Sequence, residues 1–307
     1  MSADRRPTTA TVRETLVNVG DTRLFCRRAG DGDRLLVLLH GWPQTSYCWR
    51  YLLEPLARDH TVVAPDLRGY GRSLSRDPAY DKRSTASDLS RLVTALGFAA
   101  ADVVGHDRGA RVAHRWALDR PEQVNRLALL DVLPSRHVMR SFDRSAAAGL
   151  WHWFFHLQPE LPELLIGANV DAYLRFFFGR QAYRPDAITP DAVAEYVRAF
   201  SDPASLHASL EDYRAGFGAD LAEDERDHAA GHRLTMPLLV LWGADGGLGV
   251  LDVPGIWREY AANVRGHAVE RCRHFLPEEH PAAVLEALRA FFGDDIAPST
   301  ATKASTT

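Results

Sequence analysis

The sequence predicts an α/β fold with a mostly parallel central sheet covered by helices on both faces. Short runs that are apolar on both faces recur along the chain, as is typical of strands buried in a parallel sheet. Helical patterns alternate with these runs, and such alternation favours parallel strands joined by helical crossovers. The apolar runs are residues 35–39, 61–64, 103–105, 127–130 and 238–242.

Local signals predict the other elements. Ser84 and Gly97 have the character of start and stop residues for one of the helices. Residues 11–18 and 22–28 flank a Gly-Asp turn and predict an antiparallel hairpin at the start of the sheet. The helical patterns are residues 48–57, 84–96, 109–119 and 282–292.

A long stretch without strand signals interrupts the alternation at residues 137–232. It is rich in aromatic residues at helical spacing, so we expect a helical cap over the carboxyl ends of the strands, where α/β proteins place their sites. The core then comprises residues 11–136 and 233–295. The polar segments 1–10 and 296–307 are predicted to be disordered tails.

The composition excludes several classes of protein. The chain has 307 residues, a formal net charge of −4 and 46% hydrophobic residues, which suits a globular enzyme with a large core. It has no basic stripe, so we expect no nucleic-acid partner. It has neither an apolar leader nor a bilayer-length apolar run, so we expect a cytoplasmic protein without a membrane partner. Its three cysteines are too widely separated to predict a disulfide framework or a metal site.

The most informative segment is Gly105-His106-Asp107-Arg108-Gly109. It lies between a predicted strand and a predicted helix and matches the pattern G-x-nucleophile-x-G, in which small neighbours permit a tight turn. Asp107 is therefore the candidate nucleophile, and the alternative is that it caps the helix. No G-x-S-x-G occurs in the chain, so a serine esterase lacks its main support.

A nucleophilic carboxylate needs an oxyanion hole and a base for water. The backbone N–H groups of Trp42, in the loop after an apolar run, and of Arg108 are the candidate oxyanion hole. His274 follows a weakly signalled last strand and precedes the last helix, which is where this architecture would place a base. We prefer it to His280, which lies nearer the start of that helix.

The base also needs an acid to orient it, and the substrate needs a binding group. Asp131 and Asp245 each follow a predicted strand, and either is in position to orient the base.

Arg108 and Arg111 share a face at a helix N-terminus, where cations oppose the helix dipole. A bound anion would explain them: the two guanidinium groups are predicted to hold a substrate carboxylate and to keep Asp107 ionised. The alternative is that they pair with carboxylates of the cap.

These motifs resemble those of the α/β-hydrolase superfamily and, within it, of the haloacetate (fluoroacetate) dehalogenases. The resemblance covers roughly residues 14 to 293. It is carried by HGWPQT (40–45), DLRGYGRS (66–73), GHDRGARVAHR (105–115), LLDVLP (129–134), WHWFF (151–155), EDYRAG (211–216), LWGADG (241–246) and RHFLPEE (273–279).

The resemblance implies an α/β-hydrolase fold and a hydrolytic dehalogenation. A small halocarboxylate would be converted through an ester on the nucleophile to the 2-hydroxy acid, without a metal or organic cofactor. A homodimer is compatible with the sequence. The implied roles are Asp107 as nucleophile, His274 as base, Asp131 as its acid, Arg108 and Arg111 as carboxylate-binding residues, and His152, Trp153 and Tyr213 as halide donors.

Some residues depart from the family pattern. Trp42 is bulkier than the usual phenylalanine, Arg273 replaces a small residue, and Asp245 offers an additional acid. The nearest alternative is an epoxide hydrolase, which uses the same nucleophile but usually has a tryptophan after it and two cap tyrosines. Arg108 stands at that tryptophan position and suits an anionic substrate better. A non-catalytic ligand receptor on the same fold is the more distant alternative.

Overall fold

The structure, a computed structural model, describes residues 11–293, and the predicted tails 1–10 and 296–307 lie outside the described residues. The strands within this range form one sheet. They are β1 (Arg13–Asn18), β2 (Thr22–Ala29), β3 (Leu35–Leu39), β4 (Thr61–Pro65), β5 (Leu74–Ser75), β6 (Ala101–His106), β7 (Val124–Leu130), β8 (Leu238–Gly243) and β9 (Val264–Val269).

The sheet confirms the predicted fold class. Its strand order is β1-β2-β4-β3-β6-β7-β8-β9, and β5 also pairs with β2. β1 and β2 form the predicted antiparallel hairpin, whereas all neighbours from β4 to β9 along this order are parallel. Every residue of β3, β4, β6 and β8 is buried, because helices cover both faces of a parallel sheet.

The helices separate the strands and fill one long insertion. Three 3₁₀ turns, at Ser46–Trp49, Pro121–Gln123 and Pro185–Ala187, accompany them in the described part of the chain. The α-helices are α1 (Leu53–Leu56), α2 (Lys82–Ala95), α3 (Arg108–Asp119), α4 (Ser135–Arg140), α5 (Arg144–Gly149), α6 (Trp151–His156), α7 (Leu161–Gly167), α8 (Val170–Gln181), α9 (Pro190–Phe200), α10 (Pro203–Phe217), α11 (Ala219–Ala229), α12 (Val253–Trp257), α13 (Leu276–Glu279) and α14 (Pro281–Gly293).

Two local predictions are wrong. The predicted helix 48–57 is a 3₁₀ turn followed by the short α1. A continuous helix would place Pro55 in its interior, where the missing N–H and the ring are incompatible with helical bonding, whereas α1 keeps it in a first turn. Helix α2 begins at Lys82 rather than Ser84, because Asp81 is its cap and accepts the Ser84 N–H at 2.9 Å.

The insertion between β7 and β8 consists of helices α4 to α11 and contains no strand among the residues described. Helix α10 packs against α6, α7 and α9, and it also contacts α2 of the layer that covers the sheet. The side chains of α6 and α10 therefore meet residues at the carboxyl ends of the strands. No helix between residues 11 and 293 is long and apolar enough to cross a membrane.

Candidate active site

Asp107 occupies a strained turn between β6 and α3. Its φ is +48°, a region that non-glycine residues rarely adopt and that costs on the order of 1–3 kcal/mol. The turn also brings the chain close to the end of β3, since a Cβ added to Gly109 would lie 2.4 Å from the carbonyl oxygen of His40. This strand–turn–helix geometry is that of a nucleophile elbow.

The Asp107 carboxylate does not cap α3, so the helix-cap alternative is wrong. Its Oδ1 instead accepts the backbone N–H of Trp42 at 2.8 Å, and its Oδ2 lies 3.9 Å from Nε2 of His274. Burial opposes ionisation of this carboxyl group, but the charges of His274 and other neighbours, together with the Trp42 hydrogen bond, outweigh it and lower the pKa of Asp107. The carboxylate is therefore ionised, with Oδ1 already engaged.

His274 is bonded to Asp131. Its Nδ1 lies 2.7 Å from Oδ2 of Asp131, whose Oδ1 accepts the Gly243 N–H at 3.1 Å. Burial disfavours the imidazolium, but the hydrogen bond and charge of Asp131, assisted by Asp107, raise the pKa of His274. Asp245 lies on an exposed turn. The carboxylate that contacts His274 is thus Asp131, and the alternative of Asp245 is wrong.

Two residues that the sequence reasoning missed hold the His274 loop in place. Nε2 of His106 donates to the His274 carbonyl oxygen at 2.7 Å, and burial lowers the pKa of His106 to about 3, so it is neutral. The Glu279 carboxylate accepts the N–H groups of Phe275 at 2.8 Å and of Tyr183, from the insertion, at 2.5 Å. His106 lies inside the elbow motif and Glu279 inside RHFLPEE, which are the signals that could have identified them.

The loop after β3 approaches Asp107 directly. A Cβ added to Gly41 would lie 2.5 Å from that of Asp107, so only glycine permits this approach. The buried His40 fixes the loop, because its Nδ1 donates to the Gly41 carbonyl at 3.0 Å and its Nε2 accepts the Leu67 N–H at 3.0 Å. The loop thereby directs the Trp42 N–H at the carboxylate. Arg108 begins α3, so its N–H has no acceptor within the helix.

The Arg108 side chain is paired with the cap. Its guanidinium contacts the Asp212 carboxylate through Nε, donates to the Asp212 carbonyl at 2.5 Å and lies 4.2 Å above the ring of Tyr213. Burial opposes the charge, but Asp212 raises the pKa of Arg108. The alternative that a cap carboxylate pairs with the arginines is therefore correct for Arg108. The sequence reasoning did not identify this partner, which lies 104 residues away in sequence, and binding of a substrate carboxylate by Arg108 stays a prediction.

Arg111 is less completely paired. Its Nη1 donates to Ser135 Oγ at 2.5 Å and its guanidinium lies 5.1 Å from the ring of Trp153. Its Nε is enclosed and has no hydrogen-bond partner within residues 11–293. Burial, and then the positive charge of Arg108, lower the pKa of Arg111, so its charge is poorly compensated. A small cavity beside it is lined by Lys82, Arg108, Arg111, Ser135, Met139, Trp153, Gly216, Phe217 and Asp220.

The three predicted halide donors are buried close together, with His152 and Tyr213 against Trp42 and Trp153 beside Tyr213. The His152 ring stacks on Trp42 with centroids 5.9 Å apart, and Tyr213 lies 6.2 Å from His152 and 6.4 Å from Trp153. Burial lowers the pKa of His152 to about 3 and, with the charge of Asp107, raises the pKa of Tyr213. Both groups are therefore neutral and keep a proton to donate.

His156 belongs to the same cluster and was missed by the sequence reasoning. It is fully buried, its Nε2 lies 2.8 Å from the Tyr173 hydroxyl, and its ring is 4.5 Å from that of Tyr213. Its position four residues after His152 in α6 places both imidazoles on one helical face. This spacing of four residues between His152 and His156 was the signal in the sequence, but it lies within an aromatic run that is also typical of core packing.

The fold and this arrangement of elbow, acid-linked histidine and N–H donors define a hydrolase. The α/β hydrolase fold family matches residues 34–281, and the chain belongs to that family. It is 38% identical over 287 residues to a fluoroacetate dehalogenase of Burkholderia sp, covering 91% of this chain and 93% of that protein.

Other relatives are equally similar. A soluble epoxide hydrolase of Corynebacterium sp. (strain C12) is 40% identical over 275 residues, covering 88% of this chain and 93% of that protein. The crystal structure of ALR0039 from Nostoc sp PCC 7120 matches with a TM-score of 0.89 and 44% identity, covering 92% of this chain and 99% of that one. The protein is thus an enzyme of the hydrolase class, and similarity alone does not choose between the two named reactions.

Proposed function

We propose that the protein hydrolyses 2-haloacids of the fluoroacetate type to 2-hydroxy acids. The observation that carries this proposal is Arg111, a cation with an unpaired, enclosed Nε within the described residues, one helical turn from the nucleophile. An incompletely paired cation in a buried site is costly unless an anion completes it. A substrate carboxylate supplies that anion and would hold the α-carbon near Asp107.

In the first step Asp107 displaces the halide. Its Oδ2, the oxygen not bonded to Trp42, attacks the α-carbon from the side opposite the halogen. The new C–O bond forms as the carbon–halogen bond breaks, and the halide leaves with the bonding electron pair. Fluoride is a poor leaving group, and the buried donors His152, Trp153 and Tyr213 would stabilise it through hydrogen bonds.

In the second step His274 activates a water molecule. It removes a proton as the water oxygen adds to the ester carbonyl, and the Trp42 and Arg108 N–H groups stabilise the oxyanion. When the tetrahedral intermediate collapses, the bond from the acyl carbon to the oxygen of the 2-hydroxy acid breaks and this oxygen takes the proton from His274. The Asp107 carboxylic acid that remains releases its proton to solvent and becomes a carboxylate again. Esterification also removes the negative charge of Asp107, one of the causes that raise the pKa of His274, so this pKa falls after the first step and the neutral, basic imidazole is favoured for the second.

The pH dependence follows from the Asp131 contact. His274 must be unprotonated to act, so activity should rise with pH through a pKa that Asp131 places above the ordinary value of 6.5. In Asp131→Asn the hydrogen bond to a carboxylate and its charge are lost, so the acid limb should shift to lower pH. We expect kcat to fall about 10³-fold because the base loses its orienting partner. A pH–rate profile measures both effects, with Asp245→Asn as the matched control. An unshifted acid limb would contradict this role of Asp131.

The pairing of Arg108 with Asp212 supports epoxide hydrolysis as a second candidate function. Asp212 compensates the Arg108 charge, so the pocket is less cationic than the sequence suggested. Tyr213 and the neutral His152 are also suited to donate protons to an epoxide oxygen. Fluoride release from fluoroacetate, compared with diol formation from styrene oxide, separates the two candidates, and faster diol formation would favour the second.

Arg111 provides a test that is specific for the carboxylate. Replacing Arg111 with Met removes a charged hydrogen-bond donor, so we expect KM for fluoroacetate to rise about 10- to 100-fold, with a smaller change in kcat. Steady-state fluoride release measures this. Arg175→Met, on the exposed face of α8, is the matched control and should leave KM unchanged. An unaltered KM in Arg111→Met would remove the main support for a carboxylate substrate.

A further inference from the structure

Asp212 is shared by two cations. Its carboxylate contacts Nε of Arg108 and Nζ of Lys82, and it also accepts the Tyr70 hydroxyl at 3.2 Å. Lys82 and Arg108 are each 3 % exposed and Asp212 is 6 % exposed, so water screens these charges little. Asp212, the carboxylate that pairs with Arg108, thus has a second positive partner in Lys82.

Lys82 also contacts a second carboxylate, that of Asp220. Its Nζ lies 3.2 Å from Oδ2 of Asp220 and 3.3 Å from the Asp212 carbonyl oxygen, and its backbone N–H donates to Oδ1 of Asp220 at 2.8 Å. Helix α2 therefore presents Lys82 at a fixed position between α10 and α11. Lys82, Arg108, Arg111 and Asp220 also line the same small cavity.

We propose that Lys82 is a positioning residue that lets Arg108 leave Asp212 and bind the substrate carboxylate. This rests on the proposed function, since it requires an anionic substrate. Breaking a buried ion pair by removing one partner is strongly unfavourable, because an uncompensated charge remains. With Lys82 in place, Asp212 keeps a cation when Arg108 turns away, so Arg108 becomes exchangeable between the cap and the substrate. Arg108 and Arg111 could then bind the carboxylate together.

Two substitutions should act in opposite directions. In Lys82→Met, Asp212 depends on Arg108 alone, so carboxylate binding should weaken by about tenfold or more. In Asp220→Asn, Lys82 loses its competing partner and neutralises Asp212 more fully, so binding should tighten by about threefold. Lys82→Arg keeps the charge and should bind nearly as the wild type does. A simple structural brace between α2 and the cap would instead give weaker or unchanged binding in every variant.

The binding measurement uses trifluoroacetate as an inert carboxylate and trifluoroacetamide as its neutral counterpart, each titrated by ¹⁹F NMR. Lys82→Met and Asp220→Asn should change the Kd of trifluoroacetate, Lys82→Arg should leave it nearly unchanged, and all three should leave the Kd of trifluoroacetamide unaltered. Arg83→Met is the matched control, because Arg83 is the next residue of α2 and bridges to Glu223 of the cap at 2.8 Å on an exposed face. Equal Kd values for trifluoroacetate in wild type and Lys82→Met, or equal losses for both ligands, would overturn the proposal.

Halide release by the wild type is measured beside the titration. Fluoride release with an unchanged trifluoroacetate Kd in Lys82→Met would refute the role of Lys82 and leave the dehalogenase intact. A Lys82-dependent Kd without fluoride release would support the role of Lys82 in carboxylate binding and refute the proposed reaction. The two failures are therefore distinguishable.

Discussion

Asp107→Asn is expected to release fluoride from fluoroacetate at least about 10⁴-fold more slowly than the wild type. The neutral amide oxygen is a far weaker nucleophile than the carboxylate, whose ionised form the surrounding charges favour. The substitution preserves the shape of the side chain and an oxygen that can accept the Trp42 N–H. A fluoride electrode measures the rate, and an unchanged melting temperature shows that the elbow still folds.

The matched control for this variant is Asp245→Asn, which makes the same chemical change on an exposed turn near the sheet edge. Its rate of fluoride release should equal that of the wild type. Undiminished release by Asp107→Asn would exclude an enzyme ester on this residue and with it the proposed reaction.

His274→Asn is expected to stop the reaction after the first step. The variant keeps Asp107 and the halide donors, so each molecule should release one fluoride, but water lacks its base and turnover should fall by about 10⁴-fold or more. The peptide that contains Asp107 should then carry one added carboxymethyl group, which mass spectrometry detects. His280→Asn, the other histidine of the same segment, should retain turnover and show no modified peptide.

The same experiment detects the covalent intermediate. A protein of this fold that only bound the haloacid would give no burst of fluoride and no modified peptide. A burst followed by a stable ester is specific for covalent catalysis by a carboxylate. Absence of both in the His274 variant, with fluoride released by the wild type, would contradict the assignment of the base.

The sheet and the elbow were predictable because their signals are local. The apolar run 35–39 matches β3 residue for residue, and the hairpin of β1 and β2 follows from two strand patterns around a turn. Gly105 and Gly109 frame Asp107 within five consecutive residues, so a single segment predicts the turn, the candidate nucleophile and the start of α3. The predicted helix 48–57 does not form, because Pro55 is compatible only with the first turn of a helix, and the short α1 takes its place.

The partners of the site residues were not predictable in the same way. Asp131 and Asp245 both follow strands, and which of them contacts His274 depends on distances that no local pattern contains. Arg108 pairs with Asp212 because helix α10 of the insertion packs over the strand ends, and the sequence reveals the insertion but not the face that it turns inward. The sequence therefore predicts a carboxylate site from the two arginines but not the protein side chains that contact them.

The most direct test of the central claim is a single turnover of fluoroacetate in ¹⁸O-labelled water. If Asp107 is the nucleophile, the glycolate oxygen comes from its carboxylate, so the product is unlabelled and the Asp107 peptide gains one ¹⁸O atom. Labelled glycolate together with an unlabelled Asp107 peptide would mean that water attacks the α-carbon directly, and it would contradict the account.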